Sequence, residues 1–173
     1  MLVEHRRRES EDPDEGMSQS SEDVRRVSLV REEGYRFRVR FDRAGIPDLI
    51  TDETAPVGKD EGPSPSRLLG TAVGNCLAAS LLFCLTKARL DVKGLEADVD
   101  VELGRNEAGR LRIRRLEVQL RPRWTAEVAE KAQRCLGIFE DFCLVTQAVR
   151  HGVPVDVRID GVTLPTADSG GNP

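Results

Sequence analysis

Much of what would point to a familiar chemistry is missing from these 173 residues. No Gly-rich phosphate loop, HExxH or GxSxG occurs, so nucleotide binding through such a loop, zincin-type proteolysis and elbow-type serine hydrolysis have no motif to stand on. Only two histidines are present, His5 and His151, and none of the four cysteines forms a CxxC, which removes the usual ligands of a Cys/His zinc site. A strong basic excess is absent too. The net charge is −4, unlike a general nucleic-acid binder. Arg6, Arg7 and Arg8 are followed by acids rather than by an apolar stretch, so no secretory signal is expected. The longest apolar run, from about Leu68 to Leu85, is broken by Gly70, Thr71, Gly74, Asn75 and Ser80, and reads as a buried core helix rather than a membrane span. No useful internal repeat appears.

Hydrophobic residues make up 39% and charged residues 32%, the balance of a water-soluble globular chain with one core. Residues 1–24 are charged and serine-rich, with too little apolar surface to offset the entropy of ordering, and are expected to be disordered. Met17 is a second possible start. The tail 165–173 is read the same way, leaving one domain over 25–164.

That domain opens with VSLVR, EEG and YRFRVRF, a hairpin signature. Tyr35, Phe37, Val39 and Phe41 alternate with Arg36, Arg38 and Arg40, one set facing a core and the other water. A loop over 42–63 follows. Ser64-Pro65 then suits a helix start, Ser as N-cap and Pro where its missing N–H has no helical partner. The helix runs to about Arg89 and is apolar nearly all round, hence buried on most sides. Leu95–Leu103 and Leu111–Ile113 alternate strictly and flank a turn at Arg105–Gly109. Register places Glu96, Asp98, Asp100 and Glu102 opposite Arg110, Arg112 and Arg114. That charge-paired face accounts for the arginines better than a nucleic-acid surface does. A second helix is expected from about Thr125 to Val149, because Val128, Ala132, Cys135, Leu136, Phe139, Phe142, Cys143 and Thr146 keep helical spacing. His151 sits just past it as a cap or surface residue. A last strand, Val153–Ile159, completes the order ββ–α–ββ–α–β.

The cysteines fall at 76 and 84 on one helix and at 135 and 143 on the other. Eight residues rise about 12 Å, too far for a disulfide within either helix, so any bond must join the two. With no secretory signal the compartment is expected to be reducing and structural disulfides rare. The cysteines are then small core residues or redox groups.

GPSPSRLLGTAVGNCLAASL (62–81) resembles the central helix of the OsmC/Ohr family, in which a proline-led helix carries a reactive cysteine after small residues. FEDFCLVTQAVRHGVPVDV (139–157) is similar to the family's second cysteine segment, and LEADVDVEL with GRLRIRRLEVQL fits its strand pair. The resemblance spans about 27–160. It implies an α+β OsmC-like fold, an antiparallel sheet with two long helices, one buried, forming an intertwined homodimer with sites at the subunit interface. It further implies a cytoplasmic thiol-dependent peroxidase. Cys76 attacks a peroxide oxygen, Cys143 resolves the sulfenic acid as a disulfide, and a dithiol reduces the enzyme. No cofactor, metal, nucleic acid or membrane partner is implied. Cys84 and Cys135 have no motif behind them and are expected to be core packing.

Cys76 lies about three turns into its helix, beyond the reach of that helix's own dipole, so its thiolate needs a cation. The family uses an arginine from the first hairpin held by a glutamate at the start of the helix. Here the arginine is Arg31 by closest match, with Arg36 and Arg38 as alternatives. Ser66 stands at the glutamate's position. Glu53 or Glu61 could take its place. Leu144 stands where the family has a proline after its second cysteine. These departures leave open a second reading, a non-peroxidase member that binds a small apolar or thiol ligand at the dimer interface.

Overall fold

The computed structural model describes residues 24–161. The expectations for the two tails and for Met17 therefore lie outside the described residues. Two antiparallel sheets and one long helix dominate the described residues.

Strands β1 (Val27–Glu33) and β2 (Arg36–Phe41) form the expected hairpin, and β3 (Leu49–Thr51) adds to β2's other edge. This third strand lies inside the stretch read as a loop. Leu-Ile-Thr is apolar and β-branched but only three residues long, too short for alternation to declare it. Val39 is buried, as its face requires, whereas Tyr35 and the apolar residues of β1 are exposed. The loop after β3 is organised by Asp52. Its buried carboxylate accepts hydrogen bonds from the backbone N–H groups of Glu53, Lys59 and Glu61 at 2.8, 2.9 and 3.3 Å. Led by the Lys59 amide, these bonds outweigh desolvation and hold the Asp52 carboxyl below its usual range.

Helix α1 spans Pro65–Lys87. Ser64 holds the N-cap position, but its hydroxyl pairs with that of Ser66 at 3.1 Å instead of capping the backbone. The helix closes through Arg89 at φ 56°, with the Leu90 N–H on the Leu85 carbonyl. By length and composition α1 could cross a bilayer, yet Val73, Leu77, Leu81 and Leu85 are buried within the chain. Its partners are β4 (Gly94–Arg105), β5 (Leu111–Arg123) and the later helical segments. Gly70 and Gly74 allow β4 to come close: a Cβ there would sit 2.7 Å from Val101 Cγ2 and 2.5 Å from Val99 Cγ2. Leu81 and Leu85, each 1% exposed, anchor the core, and burying each contributes roughly 1.5–3 kcal/mol.

The β4–β5 hairpin forms with its turn where expected, but its charges pair differently. A register shift between Glu102 and Leu103 sets Glu96 opposite Arg121, Asp98 opposite Gln119, Asp100 opposite Glu117 and Glu102 opposite Arg115. Arg110, Arg112 and Arg114 are not their partners. One extra residue in a strand moves every later pairing, which alternation alone does not reveal. On this face Arg121 pairs diagonally with Asp98, and Arg115 pairs with Glu117 along its own strand at 3.3 Å.

The expected second helix is divided. It becomes α2 (Ala126–Lys131), α3 (Gln133–Ile138), a 3₁₀ turn (Phe139–Phe142) and α4 (Leu144–His151). Thr125 caps α2 through the Val128 N–H at 3.3 Å. The break falls at Cys143, which is extended at φ −82° and ψ 96°. Periods of 3.6 and 3.0 residues stay nearly in phase over a single turn, so Ala132, Cys135, Phe139 and Cys143 still pack on α1 across the interruptions and the spacing hides them, while Leu136 and Phe142 are exposed. The expected last strand is also absent. Residues 152–158 carry no assigned structure, Ile159 makes one bridge, and Val153, Val155, Val157 and Ile159 are exposed. Their alternation suits a sheet, but among the described residues no strand takes them up.

The four cysteines sort into two pairs. Cys84 and Cys135 are disulfide-bonded, with Cα atoms 5.6 Å apart, joining α1 to α3. This corrects the expectation of four thiols. The compartment argument concerns what surrounds a protein, whereas the bond follows from two segments packing with their Cβ atoms facing. The bond does join the two helical regions, as helix geometry requires.

Candidate functional site

Cys76 and Cys143 are thiols, and they meet. Cys76 projects from α1 beside Val73 and Leu77, against the break between the 3₁₀ turn and α4. It is half-buried, and Cys143 is 0% exposed. The two side chains pack against each other, and each thiol shifts the other's ionisation.

The break that divides the second helix creates the site's electrostatics. Cys143 is the N-cap of α4, and its Sγ accepts the Thr146 N–H at 3.4 Å. The Thr146 hydroxyl lies 2.9 Å from the same sulfur. This is the spacing by which a cap residue satisfies the third amide of its helix, with sulfur in place of oxygen. The backbone N–H groups of Leu144 and Val145 act on Cys76. Both sulfurs therefore sit at the positive end of α4.

Burial pushes both thiols up, since it penalises the charged form. For Cys143, the bonds from Cys76, Thr146 and the amides outweigh burial and bring it below the ordinary 9.0. For Cys76, burial and then the neighbouring Cys143 hold it above that value, opposed by the Val145 and Leu144 amides. The pair titrates as a unit, giving up one proton readily and keeping the second.

None of the leading influences on either thiol is a cation. Arg31 is exposed and gives its Nε–H to the Gly34 carbonyl at 2.8 Å. Of the alternative arginines, Arg36 is held by Glu61 at 2.8 Å and by Glu32 at 3.1 Å, while Arg38 binds Glu32 at 2.6 Å. Glu61 thus meets a hairpin arginine where Ser66 cannot. Glu53 is not among the acids paired with Arg36 or Arg38. The structure brings Cys76 and Cys143 together and leaves Arg31 in the other sheet. His151 bonds the Gln147 carbonyl at the end of α4.

Sequence reasoning missed Thr146, counted only as one more inward position, and the α4 amides. The signal available was the C-x-x-T spacing from 143 to 146, which reads as a cap followed by its third helical residue. Beside the pair opens a groove of about 810 Å³, lined by Val73, Leu77, Leu116, Val118, Phe139 and Thr146, with Arg114, Arg115 and Arg150 also reaching it.

A family profile described as OsmC-like protein matches residues 58–158. No curated protein matches the chain. Among solved structures, an OsmC-like protein of unknown function from Vibrio cholerae is similar at 13% identity and a TM-score of 0.60, over 72% of this chain and 92% of its own. The organic hydroperoxide resistance protein OhrB of Bacillus subtilis is 20% identical with a TM-score of 0.55, over 73% and 90%. The organic hydroperoxide resistance protein OsmC from Legionella pneumophila is 15% identical with a TM-score of 0.55, over 75% and 91%. At these identities the likeness is one of fold. With the profile spanning 101 of 173 residues, from 58 to 158 inclusive, and the α+β architecture shared with these structures, the chain belongs to the OsmC-like family.

Proposed function

We propose that this protein is a cytoplasmic, homodimeric, thiol-dependent peroxidase that reduces organic hydroperoxides or hydrogen peroxide through Cys76 and Cys143. The observation that carries the reading is the packing of the two thiols against each other at the N-terminus of α4.

Loss of one proton leaves the charge on Cys143, whose sulfur is the more readily ionised. As Cys76, the more accessible sulfur, attacks the outer oxygen of a hydroperoxide, its proton passes to the Cys143 thiolate. The O–O bond breaks, and the departing alkoxide takes that proton from Cys143 and leaves as an alcohol. Cys76 is now a sulfenic acid. The Cys143 sulfur attacks it, water leaves, and a Cys76–Cys143 disulfide results. A dithiol restores both thiols and becomes a disulfide itself. The α4 amides take over part of the charge stabilisation that a cation would give. The apolar part of the groove, with Val73, Leu77, Val118 and Phe139, borders the pair without including either sulfur and suits the apolar tail of an organic peroxide. The exposed apolar residues of β1 and of 153–159 support a partner subunit, and in that dimer Arg36 with Glu61 is a better candidate than Arg31 to approach the site from across the interface.

Ser66 at the usual acid position and the absence of a cation among the leading influences on the thiols favour a second reading, a family member that binds a small apolar or thiol ligand in the groove without turnover. Cumene hydroperoxide decides between them. Rapid, stoichiometric formation of the Cys76–Cys143 bond, mapped by mass spectrometry, supports the peroxidase. Failure of these two cysteines to react sinks it.

A further inference from the structure

Cys84 follows Cys76 by eight residues along α1, and Cys135 precedes Cys143 by eight in the opposing segment. The two pairs are thus successive rungs between the same two stretches of chain, one bonded and one not. Eight helical residues separate Cys76 from Cys84 by about 12 Å along α1, too far for direct thiol–disulfide exchange between the rungs.

The segment bearing the second rung is held weakly by its own structure. The helices α2 and α3 have six residues each and the 3₁₀ turn four, lengths at which isolated helices do not persist. α2 and the 3₁₀ turn contain no buried residue, and α3 has only Cys135. Ala132, Cys135 and Phe139 are what the segment packs against Leu81 and Leu85 of α1. Cys143 follows directly after it.

We propose that Cys84 and Cys135 form a second redox site, whose disulfide fastens α3 to α1 and so holds Cys143 in register with Cys76, and which a dithiol opens. Cys84 is the half-buried partner and Cys135 the buried one, so attack comes at Cys84. A dithiol thiolate bonds to the Cys84 sulfur and the Cys135 thiolate leaves. The second thiol of the reductant then closes its own disulfide and releases Cys84. In the return step two thiols and one hydroperoxide give the disulfide, one alcohol and one water. Cys84 and Cys135 are positioning residues, and their effect on turnover rests on the peroxidase reading, whereas the bond and its effect on the segment do not.

The test uses the full chain with Cys84–Cys135 intact or opened by dithiothreitol, and a Cys84→Ala/Cys135→Ala variant. Three quantities are followed: differential alkylation of all four cysteines, hydrogen exchange of peptides covering 126–143, and the rate of Cys76–Cys143 formation with cumene hydroperoxide. The expected result is a bonded 84–135 peptide in the oxidised protein, faster exchange across 126–143 once it opens, and about a tenfold slower Cys76–Cys143 reaction. Free Cys84 and Cys135 in the oxidised protein, or unchanged exchange on opening, overturns the proposal. If peroxide leaves Cys76 and Cys143 untouched in every form, the peroxidase reading fails while exchange still decides the staple. If the double variant does not fold, the dithiothreitol arm on the unaltered chain gives the answer.

Discussion

The two cysteine pairs of this chain differ in what surrounds them more than in what they are. Cys84 and Cys135 meet within a cluster of Leu81, Leu85, Ala132, Leu90 and Trp124, where the local groups are apolar side chains. Cys76 and Cys143 meet where a helix starts, facing the amides of residues 144–146 and the Thr146 hydroxyl. An apolar setting has nothing to offer a thiolate, and a bonded pair there acts as a staple. A helix start offers hydrogen bonds that only the ionised form uses fully, and an unbonded pair there is poised for chemistry. One pair starts as a bond that fastens the chain and the other as thiols facing a helix start, and the difference lies in a single break in the backbone at Cys143.

The comparison breaks most completely at the reactive pair. Cys76→Ser is expected to lower peroxide consumption by at least about a thousandfold, ~4 kcal/mol of transition-state stabilisation, while folding is retained. Cys143→Ser leaves Cys76 stranded as a sulfenic acid, seen as a dimedone adduct after one turnover. The second effect belongs to the staple. Removing Cys84 and Cys135 together is expected to cost about 2–4 kcal/mol in urea unfolding, because the bond closes a long loop, 51 residues in sequence separation. Replacing Cys143 by Ala costs less in the same assay than that double replacement, since its pair is not cross-linked.

A smaller effect tests whether the reactive rung depends on close packing. Gly74→Ala, two residues from Cys76, brings a Cβ to 2.5 Å from Val99 Cγ2. Overpacking of about 1–3 kcal/mol outweighs the roughly 1 kcal/mol that alanine gains in helix propensity, so a net loss near 1 kcal/mol is expected in thermal unfolding. The smallest change is electrostatic. Thr146→Val deletes the hydroxyl beside Cys143, and its thiol then ionises at higher pH, followed by thiolate ultraviolet absorbance. The sign follows from linkage. A folded-state value below the ordinary 9.0 contributes stability that is full above that value and fades as pH falls through the lowered one. The valine variant loses part of that alkaline advantage.

Legibility in the sequence tracked the range of the interaction concerned. Ser64-Pro65 and an all-round apolar run placed α1, and alternation placed β1, β2, β4 and β5, since each signal lies within a few residues of its consequence. The charge pairing of the β4–β5 hairpin was not legible, because one bulge after Glu102 changes every partner. The second helix looked continuous because Cys135, Phe139 and Cys143 all pack on α1 whatever turns lie between them. The closeness of Cys76 and Cys143 came from the family resemblance, and its electrostatics lay hidden in that break. Nothing local in the sequence marked Cys84 and Cys135 as bonded, because a bond between α1 and α3 depends on how two distant segments dock.

The most direct test is a single peroxide titration of the whole chain, starting with Cys76 and Cys143 as thiols and Cys84–Cys135 bonded, read by differential alkylation and mass spectrometry. One equivalent of cumene hydroperoxide should convert Cys76 and Cys143 from free thiols to a mutual disulfide while the 84–135 peptide stays unchanged. Persistence of free Cys76 and Cys143, or bonds scrambled among all four sulfurs, would contradict the division of labour between the two pairs.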